Sequence, residues 1–313
     1  MTATDARHPG LYDAALGFLT VHDLHPDPIG YLEHGYVELF LAAWRGSAGE
    51  PLELASLWGL WLWRLDDVLD RELRDADPQV GSVLATRLLD ILDGAPAELG
   101  DHPTVRALAE LVRRTRPAMP RGWWDRYASE LDAWLRAASD KLAAFVQAGR
   151  TPSLRQYLTL RPIDGGMLLA AMWTELALDC VTPDWGTLLV HRLLDAFSAC
   201  GTLTNDLAAD PADTFTAQAS LAAAGLSLTE ARERVREQLS AEASRVWLLL
   251  TAIREDARLA GPGAVAPVTL DFALALDRFQ RALTDWTRTS SRYRPHGWAG
   301  SLPVAASVDR TVW

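Results

Sequence analysis

A run of apolar residues from Leu57 to Trp63 would cover almost every face of a helix, and carboxylates follow it at once. A helix that is apolar all round belongs in a protein core. Asp66 and Asp70 would share one face of that helix, and Asp67 would lie one step round from them. Grouped carboxylates repel one another unless a cation lies between them, and Mg²⁺ prefers such oxygen ligands. A solvated acidic face is the alternative, but the apolar run favours a buried helix that ends in a Mg²⁺ site.

Composition excludes several classes of protein. The chain has 313 residues, of which 49% are hydrophobic, and a formal net charge of −11. The apolar content indicates a globular fold, and the negative charge disfavours nucleic acid as a partner. Lys141 is the only lysine among 30 basic residues, so arginine is the side chain that could bind phosphate.

Location is predicted from what the sequence lacks. Two cysteines, Cys180 and Cys200, are too few for a disulfide framework and are typical of a reduced protein. We find no pattern of a signal peptide and no apolar run that is long enough to cross a membrane. We therefore expect a cytoplasmic protein with no membrane partner.

Helical periodicity recurs along the chain, and the alternation expected of strands is nearly absent. We predict an all-α single domain of roughly ten helices over residues 28–294, after a loose N-terminal arm with at most a short helix over 1–27 and before a C-terminal tail over 295–313. The predicted helical segments are 29–44, 51–73, 81–92, 104–114, 122–148, 155–180 with an interruption at 162–166, 185–207, 228–256 and 270–290.

A second polar cluster ends the long apolar helix predicted over 185–207. Asn205 and Asp206 lie in its last turn, and Asp213 follows. Pro211 lacks an amide donor and clashes with the preceding turn, so we expect the helix to break before Asp213. This cluster repeats the arrangement at Asp66, where polar side chains that could bind a metal follow an apolar helix.

With both clusters in place, the chain resembles the bacterial class I terpene synthases over residues 57–294. The first metal site of that family is an aspartate-rich motif, and its second is Asn-Asp-x-x-Ser/Thr-x-x-x-Glu. The family also has a diphosphate-sensing arginine, a linker residue three positions later and a small effector residue four positions later. An Arg-Tyr pair near the C-terminus closes over the diphosphate. The residues matching these last two features are Arg161, Asp164, Gly165, Arg292 and Tyr293.

The second motif departs from the family pattern. Its hydroxyl position is Ala209, which cannot coordinate a metal, so a water would have to take that place. Its final glutamate position is Asp213, a usable but shorter ligand, and Asp210 is the alternative carboxylate. A small residue and an aspartate at these positions, with the tail over 289–294, look like the ent-kaurene-synthase type of class I diterpene cyclase.

The resemblance implies a helical bundle around a central active-site cavity that holds a prenyl diphosphate and three Mg²⁺ ions. It implies an aromatic wall that stabilises carbocations, for which Trp63 and Trp173 are the candidates. The implied metal ligands are Asp66, Asp67, Asp70, Asn205, Asp206 and Asp213.

The leading hypothesis from the sequence is a cyclase with a slight preference for a C20 substrate, either geranylgeranyl or copalyl-type diphosphate. A sesquiterpene cyclase that uses farnesyl diphosphate is the nearest alternative. A chain-elongating prenyltransferase would need a second DDxxD motif and lysines that are missing here. A non-catalytic helical protein that binds a prenyl diphosphate or a partner helix is the alternative from another class. Many members of the family pair, so a homodimer is possible.

Overall fold

The computed structural model describes residues 9–259 and 264–293. Over these residues the chain is helical and contains no strand, which confirms the predicted all-α class. None of the helices in the described ranges is long and apolar enough to cross a membrane. The α-helices are α1 (Pro9–Val21), α2 (Pro28–Leu32), α3 (Tyr36–Ala43), α4 (Gly49–Asp67), α5 (Pro78–Leu92), α6 (Pro103–Ala118), α7 (Arg121–Lys141), α8 (Leu154–Asp164), α9 (Met167–Ala177), α10 (Leu188–Ala208), α11 (Ala217–Ala223), α12 (Leu228–Leu259) and α13 (Pro267–Thr289).

The predicted loose arm over 1–27 is corrected where the structure describes it. Residues Pro9–Val21 form α1, which buries Leu11, Phe18 and Leu19. The apolar residues of this segment recur at helical spacing, and their burial stabilises a helix of 13 residues, longer than the short helix that was expected. Residues 1–8, Arg294 and the predicted tail over 295–313 lie outside the described ranges.

Two other boundaries differ from the prediction. The helix predicted over 29–44 is divided at Gly35, whose φ of 83° is a left-handed conformation that glycine adopts without strain. The helix α11 was not predicted, and the Thr216 side chain caps it by accepting from the Ala219 amide at 3.2 Å. A hydroxyl that satisfies a free amide at a helix start stabilises even a short helix.

Contacts divide the chain into two compact units. The first unit comprises residues 1–150 and 168–181, and α4 lies in its core. The Trp58 indole donates to the Thr115 hydroxyl at 2.8 Å, and the Trp61 indole donates to the Thr104 carbonyl at 2.9 Å. Each bond gives the N–H group of a buried indole an acceptor, and together the two bonds hold α4 against α6. The prediction of a buried α4 is confirmed.

Among the described residues, the second unit comprises 151–167, 182–259 and 264–293. Within it α10 packs against both α12 and α13. Phe197 of α10 meets Phe279 of α13 edge to face, with 5.9 Å between ring centroids. This packing fixes the C-terminal end of α10, where the second polar cluster lies.

Two short π-helical turns interrupt the first unit: π1 (Val68–Glu72) continues α4, and π2 (Leu142–Val146) continues α7. Each is closed by a backbone bond that spans five residues, from the Leu73 amide to the Val68 carbonyl and from the Gln147 amide to the Leu142 carbonyl. The two turns pack against each other. Such turns occur frequently at functional sites, and π1 carries Asp70 of the aspartate-rich motif.

Candidate functional site

Asp66 and Asp70 reach the same positively charged atom in the first unit. The Nζ of Lys141 lies 2.9 Å from Asp70 Oδ2 and 3.5 Å from Asp66 Oδ1. The Lys141 side chain is only 4% exposed, whereas each of the two carboxylate side chains is 32% exposed. The predicted shared face of Asp66 and Asp70 is therefore present, and solvent can reach both carboxylates.

Asp67 points to different partners. It is buried, and its Oδ2 accepts a hydrogen bond from the Tyr31 hydroxyl at 3.2 Å. Its Oδ1 lies 3.4 Å from Arg71 Nε. The structure thus brings together two of the three predicted carboxylates and gives the third a separate set of contacts, because it lies one step round the helix.

Arg161 is the centre of a polar network in the second unit. Its Nη2 donates to Asn205 Oδ1 at 2.9 Å and to Asp206 Oδ1 at 2.6 Å. Its Nη1 donates to Asp164 Oδ2 at 3.0 Å. The predicted sensor, the predicted linker and both intact residues of the second motif therefore meet around one guanidinium.

Asp206 has both carboxylate oxygens engaged within the protein. Besides the bond from Arg161, its Oδ2 accepts from the Tyr157 hydroxyl at 2.6 Å and from the Ala217 amide at 2.7 Å. The side chain is fully buried. Asp206 was predicted as a metal ligand, and in the structure its carboxylate accepts hydrogen bonds from Arg161, Tyr157 and Ala217.

The charge state of the network follows from its contacts. Burial lowers the pKa of Arg161, but the carboxylates of Asp206 and Asp164 outweigh this effect and raise it well above its ordinary value. Burial also raises the pKa of Tyr157, and the Asp206 carboxylate adds to the increase. Arg161 is therefore a permanent cation, and Tyr157 is a neutral hydroxyl donor.

The helix break at Gly165 is shorter than the predicted interruption over 162–166, because α8 continues through Pro162. The helix α8 ends at Asp164, and Gly166 has a φ of 64°, which is a left-handed conformation. A Cβ at Gly165 would lie 2.2 Å from the Thr202 Cγ2 of α10. The absence of a side chain at Gly165 therefore lets the end of α8 approach α10.

The second motif does not form one helical face. The helix α10 ends at Ala208, and Ala209 is extended, with a φ of −60° and a ψ of 157°. This ending agrees with the predicted break before Asp213, because Pro211 disfavours the helical conformation of the residue that precedes it, Asp210. Asp213 consequently lies beyond the helix that carries Asn205.

Asp213 and Asp210 each close a short turn. The Asp213 Oδ1 accepts from the Phe215 amide at 2.8 Å, and the Asp210 Oδ1 accepts from the Ala212 amide at 2.8 Å. Asp213 is exposed. These contacts are typical of aspartates that stabilise a loop after a helix.

The predicted Arg-Tyr pair lies beside the second motif. The side-chain amide of Asn205 donates to the Tyr293 hydroxyl at 2.9 Å. The Tyr293 ring packs edge to face against Trp286, with 5.5 Å between ring centroids. The Arg292 amide donates to the Ser290 hydroxyl at 3.2 Å. The structure therefore brings Tyr293 into the polar network of Arg161 through Asn205.

The two predicted wall tryptophans lie in different surroundings. Trp63 is partly exposed, and its ring centroid lies 5.5 Å from that of Tyr36 and 5.9 Å from that of Phe40. Trp173 is 2% exposed, and its indole donates to the Tyr127 hydroxyl at 2.9 Å. Trp63 thus presents part of an aromatic cluster, whereas Trp173 is packed in the core of the first unit.

Two residues of the site were not predicted from the sequence. Tyr157 precedes Arg161 by four positions, so a shared helical face was the available signal. Lys141 was noticed as the only lysine, but 71 positions separate it from Asp70 and no local pattern connects them.

A divalent cation fits Asp66 and Asp70 better than it fits the second motif. Carboxylate oxygens from both residues already surround one cationic atom, and Mg²⁺ commonly takes one or two carboxylates together with waters and phosphate. Across the described residues, no group of three or more His, Cys, Asp or Glu side chains is arranged to hold a metal. Near Asn205, the Asp206 carboxylate is bonded to Arg161, and Asp213 closes a turn beyond the end of α10.

Comparison with solved structures defines the class of fold. The linalool/nerolidol synthase of Streptomyces clavuligerus, solved in complex with 2-fluorogeranyl diphosphate, superposes with a TM-score of 0.78 over 89% of this chain and 97% of that chain, at 23% identity. Wild-type cucumene synthase superposes with a TM-score of 0.77 over 90% of this chain and 96% of that chain, at 23% identity. The fold is that of a class I terpene synthase.

The family model for terpene synthase family 2, C-terminal metal binding, matches residues 57–245. This match spans more than half of the chain, so the chain belongs to that family. The resemblance to the bacterial class I terpene synthases is confirmed.

Curated relatives match shorter stretches. The chain is 32% identical over 128 residues to a (+)-T-muurolol synthase of Roseiflexus castenholzii, described as (2E,6E)-farnesyl diphosphate cyclizing, over 41% of this chain and 39% of that protein. It is 31% identical over 141 residues to the pristinol synthase of Streptomyces pristinaespiralis, over 44% of this chain and 37% of that protein. The aligned stretches span less than two thirds of the length of these relatives.

We expect Gly165→Ala to lower the free energy of unfolding by about 1–3 kcal/mol, because the added methyl group would overlap Thr202. Thr202→Ser removes the overlapping methyl group and keeps the hydroxyl that donates to the Ser198 carbonyl at 2.9 Å. Urea denaturation should therefore show that the double variant recovers part of the loss. Recovery should be incomplete, since the Arg161 carbonyl lies 3.0 Å from the added Cβ. An equal loss in the single and double variants would contradict the steric explanation.

Proposed function

We propose that this protein is a Mg²⁺-dependent class I terpene cyclase, a lyase that ionises a prenyl diphosphate and releases diphosphate. The observation that supports this function most directly is the network around Arg161. It joins the predicted sensor to the second motif and, through Asn205, to Tyr293 of the C-terminal pair. Motif residues from three distant segments are thus placed around one permanent cation.

Farnesyl diphosphate is the proposed substrate. The T-muurolol synthase that shares 32% identity with this chain is described as an enzyme that cyclises that substrate. The preference for a C20 substrate finds no support among the relatives described above, nor does closeness to the ent-kaurene-synthase type. A C20 substrate therefore remains the alternative, because the residues that bind diphosphate do not determine the length of the hydrocarbon tail.

Arg161 is proposed to bind a diphosphate oxygen. Its Nη atoms are held by protein acceptors, whereas its Nε is buried and donates to no atom in the described ranges. A buried donor without an acceptor costs about 1–3 kcal/mol, so an anionic oxygen at this place would be stabilised. Asp206 and Tyr157 would hold the guanidinium in place while the ligand binds.

Asp66 and Asp70 are proposed to hold Mg²⁺. When bound, Mg²⁺ acts as a Lewis acid that draws electron density from the diphosphate leaving group. The two carboxylates fix the position of the cation, and their partial exposure leaves room for water and phosphate ligands. Asp67 would support the motif from within the core through Tyr31. The second and third Mg²⁺ ions remain predictions from the resemblance.

Trp63 is proposed to contribute to the wall that faces the hydrocarbon. Aromatic faces attract cations, so the cluster with Tyr36 and Phe40 would favour a positive charge. Trp173 is assigned to packing, because its polar edge is used by Tyr127 inside the core.

Incubation with geranyl, farnesyl, geranylgeranyl and copalyl diphosphates, with and without Mg²⁺, tests the proposal. We expect a cyclic hydrocarbon or alcohol and release of diphosphate from farnesyl diphosphate, only when Mg²⁺ is present. Mass analysis of the extract identifies the chain length. A product from a C20 substrate alone would support the diterpene alternative. Binding of a prenyl diphosphate to folded protein with no release of diphosphate would contradict the enzyme and support a binding protein.

We expect the double variant Asp66→Asn/Asp70→Asn to lower kcat by at least ~100-fold, because amides are weaker ligands for Mg²⁺ than carboxylates. Asp132→Asn is the matched control, since Asp132 forms a surface pair with Arg136 on α7. Steady-state release of diphosphate measures the effect, and circular dichroism confirms the fold. Control-like rates in the double variant would remove these carboxylates from the mechanism.

Asp210 and Asp213 follow the end of α10 and accept from backbone amides of the loop, which supports a loop-stabilising function for both. An asparagine can make the same turns as Asp210 and Asp213, so Asp210→Asn and Asp213→Asn remove only the charge. We expect each variant to retain kcat to within about threefold, as for surface substitutions. A loss of ~100-fold in one variant would instead identify that carboxylate as a metal ligand.

A further inference from the structure

Lys141 is a buried cation to which the proposed reaction assigns no role. It is the last residue of α7, immediately before the π2 turn, and 4% of its side chain is exposed. Its Nζ contacts Asp70 Oδ2 at 2.9 Å and Asp66 Oδ1 at 3.5 Å. These are the two carboxylates that fit a divalent cation.

The choice of lysine is informative in this chain. Arginine provides every other basic residue, yet this buried position has a lysine. An ammonium is a compact point charge with three donors, whereas a guanidinium is planar and offers a fixed fork. A point charge between two carboxylates resembles a metal ion more closely than a guanidinium does. A buried charge is also unfavourable unless it is paired, so Lys141 and the aspartates stabilise one another.

We propose that Lys141 is a positioning residue, a tethered counter-cation of the aspartate-rich motif. It holds Asp66 and Asp70 together, and it competes with the divalent cation for their oxygens. The inference rests on the proposed function only in that a divalent cation binds these two carboxylates.

Competition by Lys141 has a consequence for the order of binding. A free divalent cation approaching the carboxylates is repelled by the ammonium, so its affinity is reduced. A cation that arrives with diphosphate brings negative charge, which offsets this repulsion. Lys141 would therefore favour metal binding together with the anionic ligand and disfavour metal binding alone.

Titration with Mn²⁺, followed by electron paramagnetic resonance, measures metal affinity without turnover. Mn²⁺ shares the preference of Mg²⁺ for oxygen ligands. We expect Lys141→Met, in protein without diphosphate, to bind Mn²⁺ at least about tenfold more tightly than the natural chain, since a nearby positive charge is lost. Lys141→Arg keeps the charge and should bind Mn²⁺ with an affinity close to that of the natural chain.

Arg126→Gln is the matched control. Arg126 pairs with the buried Glu175 at 2.6 Å in the same unit. The Arg126→Gln variant therefore removes a partly buried cation that pairs with a different carboxylate. Its Mn²⁺ affinity should equal that of the natural chain. Equal affinities in the natural chain and in Lys141→Met, or a weaker affinity in Lys141→Met, would overturn the proposal.

A measurement on the natural chain keeps the test decisive if Lys141→Met fails to fold. Labelling with ¹⁵N-lysine gives one side-chain ammonium signal, because Lys141 is the only lysine. We expect stoichiometric Mn²⁺ to broaden this signal beyond detection, as a paramagnetic ion within a few ångströms would. An unchanged signal while Mn²⁺ is bound would overturn the proposal.

Failure of this inference is distinguishable from failure of the proposed function. A protein that turns over farnesyl diphosphate but shows no effect of Lys141→Met on Mn²⁺ affinity keeps the function and loses the inference. A protein without turnover whose Mn²⁺ affinity rises in Lys141→Met keeps the inference and loses the function.

Discussion

The buried ion pair between Arg161 and Asp206 is the constraint on which the second unit depends. Two charges removed from water are stabilised only when their geometry is good and their other polar atoms are bonded. Here Asn205 and Asp164 also accept from the Nη atoms of the arginine, whose Nε alone lacks an acceptor in the described ranges, and Tyr157 donates to the aspartate. Loss of one partner from such a pair typically costs about 3–5 kcal/mol, so the arrangement fixes α8 against the end of α10.

The motif pattern does not distinguish residues that bond to other protein groups from residues that remain partly exposed, whereas the structure does. Asp206 belongs to a conspicuous acidic motif, yet both of its carboxylate oxygens accept hydrogen bonds from protein donors. Asn205 links two parts of the network, since its side chain accepts from Arg161 and donates to Tyr293. In the first unit Asp67 likewise serves the core, while Asp66 and Asp70 remain partly exposed. In each unit, therefore, a motif aspartate stabilises the site through contacts within the protein core.

The sequence predicts best where one local pattern decides the structure. The all-round apolar run identified α4 as a core helix, and Pro211 identified the break after α10. The sequence predicts poorly where the outcome depends on a distant partner. The role of Asp206 depends on the Tyr157 hydroxyl and on a backbone amide at the start of α11, and neither is visible from the motif. The ammonium of Lys141 reaches Asp70 only through the fold.

The π1 turn places Asp70 on a stretch of backbone that holds one residue more per hydrogen-bonded turn than an α-helix does. A turn of this kind is the structural equivalent of a single-residue insertion. The spacing between the aspartates is therefore open to change by insertion or deletion as well as by substitution. Removal of one residue would let the helix close regularly, and it would rotate the following carboxylate by about 100° around the axis. Length variation at this turn thus offers evolution a route to re-aim one metal ligand while the rest of the helix keeps its packing.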